Sequence, residues 1–152
     1  MWALIRIRSS IGLRSEVEDT LKMLRLDAVN NCVLVPETED FRGMVQKCKD
    51  VCTWGEIDKQ TLAALLEKRL RLHGDKRIDE KVLKEVTKFD SFEKLAEALI
   101  AGKIKLKDFE KIRPVFRLTP PSKGFKSVKN SYPDGDLGYR GKEINELVER
   151  MM

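Results

Sequence analysis

Between residues 1 and 57 the apolar pattern switches repeatedly between the period of a strand and the period of a helix, and this restricts the fold more than any other feature of the chain. Trp2 to Arg8 alternates, with Ala3, Ile5 and Ile7 on one side and Arg6 and Arg8 on the other, as in a half-buried strand. Ser9 to Arg14 reads as a turn around Gly12. Ser15-Glu16-Val17-Glu18 has the form of a capping box, with Ser15 as N-cap and Glu18 reaching back. It opens a helix that runs to about Leu26, with Val17, Leu21 and Leu24 inward. Asn30-Asn31 interrupts, and Cys32 to Val35 is a short apolar strand ended by Pro36. Phe41, Met44, Val45, Cys48 and Val51 then recur at helical spacing, so a second helix is expected from about Glu39 to Val51. The order β-α-β-α is half of a ferredoxin-like module and needs a third strand. Two segments compete for it: Val51 to Glu56, and Val115 to Leu118.

The chain after residue 57 changes character. Thr61 to Leu72 has helical spacing, Asp79 and Ser91 stand as N-caps of two further helices, and Asp108 as the cap of a short fourth. Arg113-Pro114 stops this run. The expected organisation is therefore a core over 1–57, a helical insertion over 58–112, and a third part over 113–152. The last part holds the strand candidate, a basic tail and a final helix from Lys142 to Met152. The fold class is α+β: a ferredoxin-like βαβαβ core with a small antiparallel sheet, a helical insertion and a basic C-terminal extension. At 152 residues the chain is long enough for a substantial core. No apolar run approaches the roughly 20 residues that span a membrane. Met1 to Arg8 is too short and too interrupted by arginine for a signal peptide, so a place inside the cell is expected.

The formal net charge is +5, which favours a polyanionic partner. Its distribution is uneven. Residues 1–55 hold eight basic and eight acidic side chains, residues 56–112 fourteen and twelve, and residues 113–152 eight and five. Arg113, Arg117, Lys123, Lys126 and Lys129 fall in a stretch, 113–133, with no acid at all.

Catalytic and metal-binding patterns are weak. Cys32, Cys48 and Cys52 with His73 lack the spacing of a compact zinc site; Cys48 falls on the apolar stripe of its helix and Cys32 inside a strand, as buried cysteines do. His73 has no signposted nucleophile or orienting carboxylate. Asp134-Gly135-Asp136 lacks the glycine spacing and the terminal Glu of a calcium loop and reads as a turn. No enzyme, cofactor, metal or small-molecule substrate is expected.

Anion recognition is better signalled. Arg6 and Arg8 precede Ser9, Ser10, Gly12 and Arg14, which combines forked donors with a backbone that can approach closely. Arg42 and Gly43 lie in the first turn of the second helix, where the dipole disfavours a cation, and Lys47 follows one turn on. A solvated strand edge and an ordinary helix start would use the same residues, so both readings stand on physics alone. The tail mixes Lys123, Lys126, Lys129 and Arg140 with Phe125, Tyr132 and Tyr139, a combination suited to phosphate neutralisation and base stacking. Such a composition forms no core by itself and would be ordered, if at all, by a partner. In the insertion, Lys68, Arg69, Arg71, Lys76 and Arg77 could reach phosphate, but acids are interleaved almost one for one, as on a solvated face.

Several phrases together resemble one family: Arg6-Ile7-Arg8-Ser9-Ser10-Ile11-Gly12, Phe41-Arg42-Gly43-Met44-Val45, Thr53-Trp54-Gly55-Glu56-Ile57-Asp58, Pro114-Val115-Phe116-Arg117-Leu118, Lys123-Gly124-Phe125-Lys126 and Gly138-Tyr139-Arg140-Gly141. They are similar to the large-subunit ribosomal protein called L-thirty in bacteria and L-seven in eukaryotes. The bacterial form matches residues 1–57 only, and the long C-terminal part without a basic N-terminal extension is similar to the archaeal form. The resemblance implies a small antiparallel sheet with helices on one face. It implies a structural, cytoplasmic, rRNA-binding protein of the large subunit, touching 23S-type rRNA, with 5S rRNA and other ribosomal proteins nearby. The RNA contacts expected are Arg6, Arg8, Ser9, Gly12, Arg14, Arg42, Gly43, Lys47, Arg117, Lys123, Lys126, Lys129, Tyr139 and Arg140. The residues alone leave room for two readings of other classes: a ferredoxin-like acyl-phosphate hydrolase with an arginine cradle and an Asn30 or Asn31 to position water, and a DNA-binding regulator acting through the insertion.

Overall fold

The computed structural model describes all residues, 1–152. The first 57 residues form β1 (Trp2–Arg6), α1 (Ser15–Met23), β2 (Asn31–Val35), α2 (Glu39–Lys47) and β3 (Cys52–Glu56). Then come α3 (Lys59–Arg69), α4 (Glu80–Thr87), α5 (Phe92–Ile100), β4 (Val115–Arg117), β5 (Gly138–Tyr139) and α6 (Ile144–Met151). The five strands form one sheet in the order β4-β2-β1-β3-β5. β1 is antiparallel to both β2 and β3, so β2 and β3 run parallel with β1 between them. A parallel pair needs a crossover, and α2 supplies it. Both candidates for the third strand are strands: Cys52–Glu56 completes the βαβαβ core, and Val115–Arg117 extends it antiparallel at the β2 edge. β5 pairs in parallel with β3, so the sheet is mixed rather than wholly antiparallel.

The sheet is covered on both faces, where the resemblance implied one. Trp2, Leu4, Val33, Val35 and Trp54 pack with Leu21 of α1 and Val45 and Cys48 of α2. Ala3, Ile5, Cys32 and Phe116 pack with Leu62, Leu65 and Leu66 of α3, Leu95 and Leu99 of α5, and Ile144, Leu147 and Val148 of α6. The insertion helices carry apolar stripes that need a surface, and the odd-numbered face of β1 provides it. β1 is consequently buried on both sides along its whole length, not half-buried. At about 25 cal/mol per Å² of apolar area removed from water, this double covering is the largest favourable contribution to the fold.

Local details differ from expectation in physically plain ways. Ser15 is the first residue of α1 and Arg14 its N-cap, without a side-chain cap bond, so there is no capping box. α1 stops at Met23 through a Schellman closure: Leu26 N donates to Leu21 O, Arg25 N to Lys22 O, and Arg25 sits at φ 59°. Ser91 does cap α5, accepting from Lys94 N at 3.4 Å, whereas Asp79 caps α4 by position alone. Asp108 ends a 3-10 turn rather than starting a helix, accepting from Lys105 N. Gly55 lets the chain before α6 lie against β3, because a Cβ there would stand 1.9 Å from Gly141 O. No helix is long and apolar enough to cross a membrane.

Candidate nucleic-acid interface

Strand register gathers most of the candidate residues at one end of the sheet. Arg6 lies opposite Cys52, and Asn31 opposite Arg117. Asn30 N donates to Arg6 O at 2.8 Å, and Leu118 N to Asn30 O at 3.0 Å. The β1–α1 loop with Arg8, Ser9, Gly12 and Arg14, the C-terminus of α2 with Lys47, and the start of the tail therefore leave the sheet at the same end. Ile7 N and Arg8 N both donate to Val51 O, which ties the β1–α1 loop to the chain leaving α2.

Arg8, Ser9, Gly12, Arg14, Lys47, Lys123, Lys126 and Lys129 are exposed. None of their basic side chains forms an ion pair with a carboxylate. Arg8 Nη1 donates to Asp50 O at 3.2 Å and Lys126 Nζ to Pro133 O at 3.0 Å. Gly12 has φ 75° with open space where a Cβ would project. Ile11 beside it is 91% exposed. Sequence reasoning passed over Ile11; its signal was an apolar residue inside a turn of serine and glycine.

Two predicted contacts are buried instead. Arg6 is 2% exposed. Its Nη1 donates to Leu26 O at 2.6 Å and Asp27 O at 2.9 Å, its Nε to Arg8 O at 2.9 Å, and its Nη2 to Ser10 Oγ at 2.6 Å. Leu26 O and Asp27 O lie just past the end of α1 and Arg8 O and Ser10 Oγ in the loop before it, and a buried guanidinium is held only when its donors find such partners. Arg140 is 7% exposed. Its Nη2 pairs with Asp136 Oδ1 at 2.7 Å, its Nε donates to Thr53 Oγ1 at 3.1 Å, and its guanidinium stands 5.4 Å from the Tyr132 ring centre. Asp136 Oδ2 in turn accepts from Lys126 N and Ser127 N. The tail, expected to be ordered only by a partner, is thus closed into a loop and pinned to β3 through Arg140.

Arg42 lies apart, at the other end of α2, and faces Glu39 at 3.3 Å and Glu37 at 3.6 Å. Those acids answer its charge, which removes the argument that it needs an external anion. Gly43, one residue on, has nothing within 4 Å of a Cβ position. Arg117 is exposed and pairs with Asp75 at 2.6 Å. Tyr139 is 53% exposed and donates to Glu56 Oε1 at 2.7 Å, which with partial desolvation and the Glu56 charge holds its hydroxyl above the usual phenol range.

Cys32, Cys48 and Cys52 are buried and unpaired. Burial pushes the Cys32 thiol up to about 12 and Cys48 to about 11, and raises Cys52 as well, so none is a thiolate at neutral pH. No group of three or more His, Cys, Asp or Glu side chains converges as metal ligands would. Arg6, the arginine that ends β1, has its donors spent on the chain itself and is not free to cradle a phosphate.

The family model described as "Ribosomal protein L30p/L7e" matches residues 2–51. "Large ribosomal subunit protein uL30" of Methanococcus maripaludis is 51% identical, with 99% of each chain covered. The protein of the same name from Thermoplasma volcanium is 47% identical, covering all of this chain and 93% of its own. That from Archaeoglobus fulgidus is 44% identical over 99% of both. Relatives this similar over the full length leave one assignment: the chain belongs to the uL30 family of large ribosomal subunit proteins.

Proposed function

We propose that this protein is a structural constituent of the large ribosomal subunit that binds 23S-type rRNA through phosphate and shape contacts, within the cytoplasmic ribosome. It is not an enzyme; the family to which it belongs is structural. The observation that carries the RNA reading is the convergence at one end of the sheet. Arg8, Ser9, Gly12, Arg14 and Lys47 lie there, where the tail that carries Lys123, Lys126 and Lys129 leaves β4, although more than 70 residues of chain separate the two groups. Free cations beside a glycine turn supply phosphate contacts, which position without reading sequence. Ile11 supplies exposed apolar surface at this end, and Tyr139, whose hydroxyl reaches Glu56 toward the opposite end of β3, an exposed ring; both suit unpaired bases. Arg6 and Arg140 hold this end in shape from inside. The globular core 1–57 sets position, the tail reaches into the RNA, and the covered faces leave neighbouring ribosomal proteins and 5S rRNA to meet the outer helices.

The test is binding of the full-length protein to deproteinised 23S-type rRNA between 50 and 200 mM salt. About six phosphate contacts give a slope of log K against log salt near −4 to −5. A slope near zero would remove the electrostatic account. Tighter binding to duplex DNA than to folded rRNA would favour a DNA-binding regulator instead.

A further inference from the structure

The insertion reads as charge-balanced along the sequence, yet the fold sorts its charges. Residues 71–77 form a tight hairpin, with Arg71 bridged to Arg77 and the turn made by Gly74 at φ 89° and Asp75 at φ 60°. The chain entering β4 lies against it: His73 N donates to Lys111 O at 3.0 Å, and Arg113 N to Arg71 O at 2.9 Å. Backbone pairing thereby delivers two arginines of the acid-free segment, Arg113 and Arg117, beside Arg71 and the end of α3 at Arg69. The four line an open hollow of about 260 Å³ with Asp75 and Val115. That is room for a phosphate and several waters, each of which takes about 30 Å³ of liquid.

Asp75 is the one carboxylate paired with any of these guanidinium groups, at 3.1 Å from Arg113 Nη1 and 2.6 Å from Arg117 Nη1. Arg69 donates to Arg117 O at 3.5 Å and to backbone and hydroxyl oxygens of Met152 and Thr119, and Arg71 has only Leu70 O at 3.5 Å. Four guanidinium groups stand against the Asp75 carboxylate and the Met152 oxygen that Arg69 holds, so positive charge is in excess in the hollow. Self-repulsion disfavours the free protein and is relieved by an anion. Glu67, Asp79 and Glu80 line the neighbouring hollow, which shares Arg69 and Arg71 and also holds Lys68, Arg77 and Lys81, but none of the three pairs with Arg69 or Arg71. Forked guanidinium donors that converge on one hollow from several sides suit a single compact oxyanion with acceptor oxygens in several directions, such as a phosphate.

We propose that Arg69, Arg71, Arg113 and Arg117 form a phosphate-binding pocket that takes a backbone phosphate of RNA at the β4 edge of the sheet, a contact separate from the β1–α1 loop. The identification of the phosphate as one of rRNA rests on the function proposed above; the pocket itself does not. Asp75 orients Arg113 and Arg117 and leaves their remaining N–H groups turned to the hollow.

Two measurements on the full-length protein test it. In the first, inorganic phosphate is titrated at matched ionic strength while the arginine Nε–Hε resonances are followed by NMR. Saturable shifts at Arg71, Arg113 and Arg117, absent with chloride, are expected. Shifts no larger than chloride gives, or saturation by an oligo-aspartate peptide without a response to phosphate, would overturn the proposal, the latter in favour of an acidic protein partner. In the second, Arg71→Gln and Arg117→Gln are compared with wild type for binding to 23S-type rRNA, with thermal melts to check folding. Each should flatten the salt slope by about 0.7 to 0.9, the equivalent of one phosphate. Unchanged slopes in both folded variants would also overturn it. A wild type that saturates with phosphate but ignores rRNA would support the pocket and refute the rRNA reading.

Discussion

Replacing Arg140 by methionine separates a structural arginine from an RNA-binding one. The side chains of Arg140 and Asp136 are 6% and 5% exposed, and they pair at 2.7 Å. Methionine fills much of the same space but leaves the Asp136 carboxylate buried with only the amides of Lys126 and Ser127 as partners. Thr53 also loses the donor that reaches it at 3.1 Å. Breaking a buried pair in this one-sided way costs about 3–5 kcal/mol, a large part of the roughly 5–15 kcal/mol that stabilises a domain. With a urea m-value of about 2 kcal/mol/M, the unfolding midpoint should fall by about 1.5–2.5 M, read by far-ultraviolet circular dichroism. The folded fraction should bind rRNA with the wild-type salt slope, because no phosphate contact has been removed. A midpoint within about 0.3 M of wild type, the mark of an ordinary surface substitution, together with a slope flattened by about 0.9, would refute the reasoning. It would show that Arg140 faces the RNA after all.

Three further outcomes are expected. Gly55→Ala places a methyl 1.9 Å from Gly141 O and 3.0 Å from the Ile144 Cβ; since backbone must move, stability should drop by about 1–3 kcal/mol or more, and an unchanged melting temperature would contradict the packing of the α6 lead-in on β3. Gly43→Ala, in a helix with open space around the Cβ position, should stabilise the free protein by about 0.5–1 kcal/mol; stability gained with rRNA affinity unchanged would take this face of α2 out of the interface. The buried thiols set an alkaline limit: Cys48 and Cys32 stay protonated in the fold up to about 11 and about 12, while unfolded cysteine ionises near 8.5. Their contribution is therefore fully present below about pH 8.5 and lost as pH rises toward 11–12, at up to about 1.4 kcal/mol per pH unit for each thiol. Urea midpoints between pH 8 and 10 should fall less steeply in Cys32→Ala than in wild type, and equal slopes would show that Cys32 is not sealed from solvent.

The order of elements in residues 1–57 was legible because each segment has one dominant period. Phe41, Met44, Val45 and Cys48 can be buried together only on a helix, and Ala3 and Ile5 only on a strand. The rivalry between Val51–Glu56 and Val115–Leu118 had no answer at that level, since both are strands and the sheet is wider than the core module. β5 was out of reach: two residues, Gly138 and Tyr139, carry no period, and their pairing depends on Thr53 and on the Arg140–Asp136 pin. The second covered face was equally hidden, because an apolar stripe announces burial without naming the surface that buries it.

Arginine was the hardest residue to read, and Arg6 shows why. On the strand pattern it belongs to a polar face with Arg8. It is drawn inward because α1 ends in a Schellman turn that points Leu26 O and Asp27 O at the end of β1, a tertiary fact that no local pattern carries. Its remaining bonds, to Ser10 Oγ and Arg8 O, fix the loop that presents Ser9, Ile11 and Gly12. Arg6→Lys would keep the charge but replace a fork that spans four acceptors with one ammonium, which can reach only part of that set. The loop would then have to be ordered when RNA binds, at roughly 1–2 kcal/mol for each residue fixed. The expected signature is a loss of rRNA affinity of tenfold or more with the salt slope preserved, since the number of phosphates neutralised is unchanged. A flattened slope with affinity lost in proportion would place the Arg6 guanidinium on phosphate and undo the assignment of Arg6 to the interior.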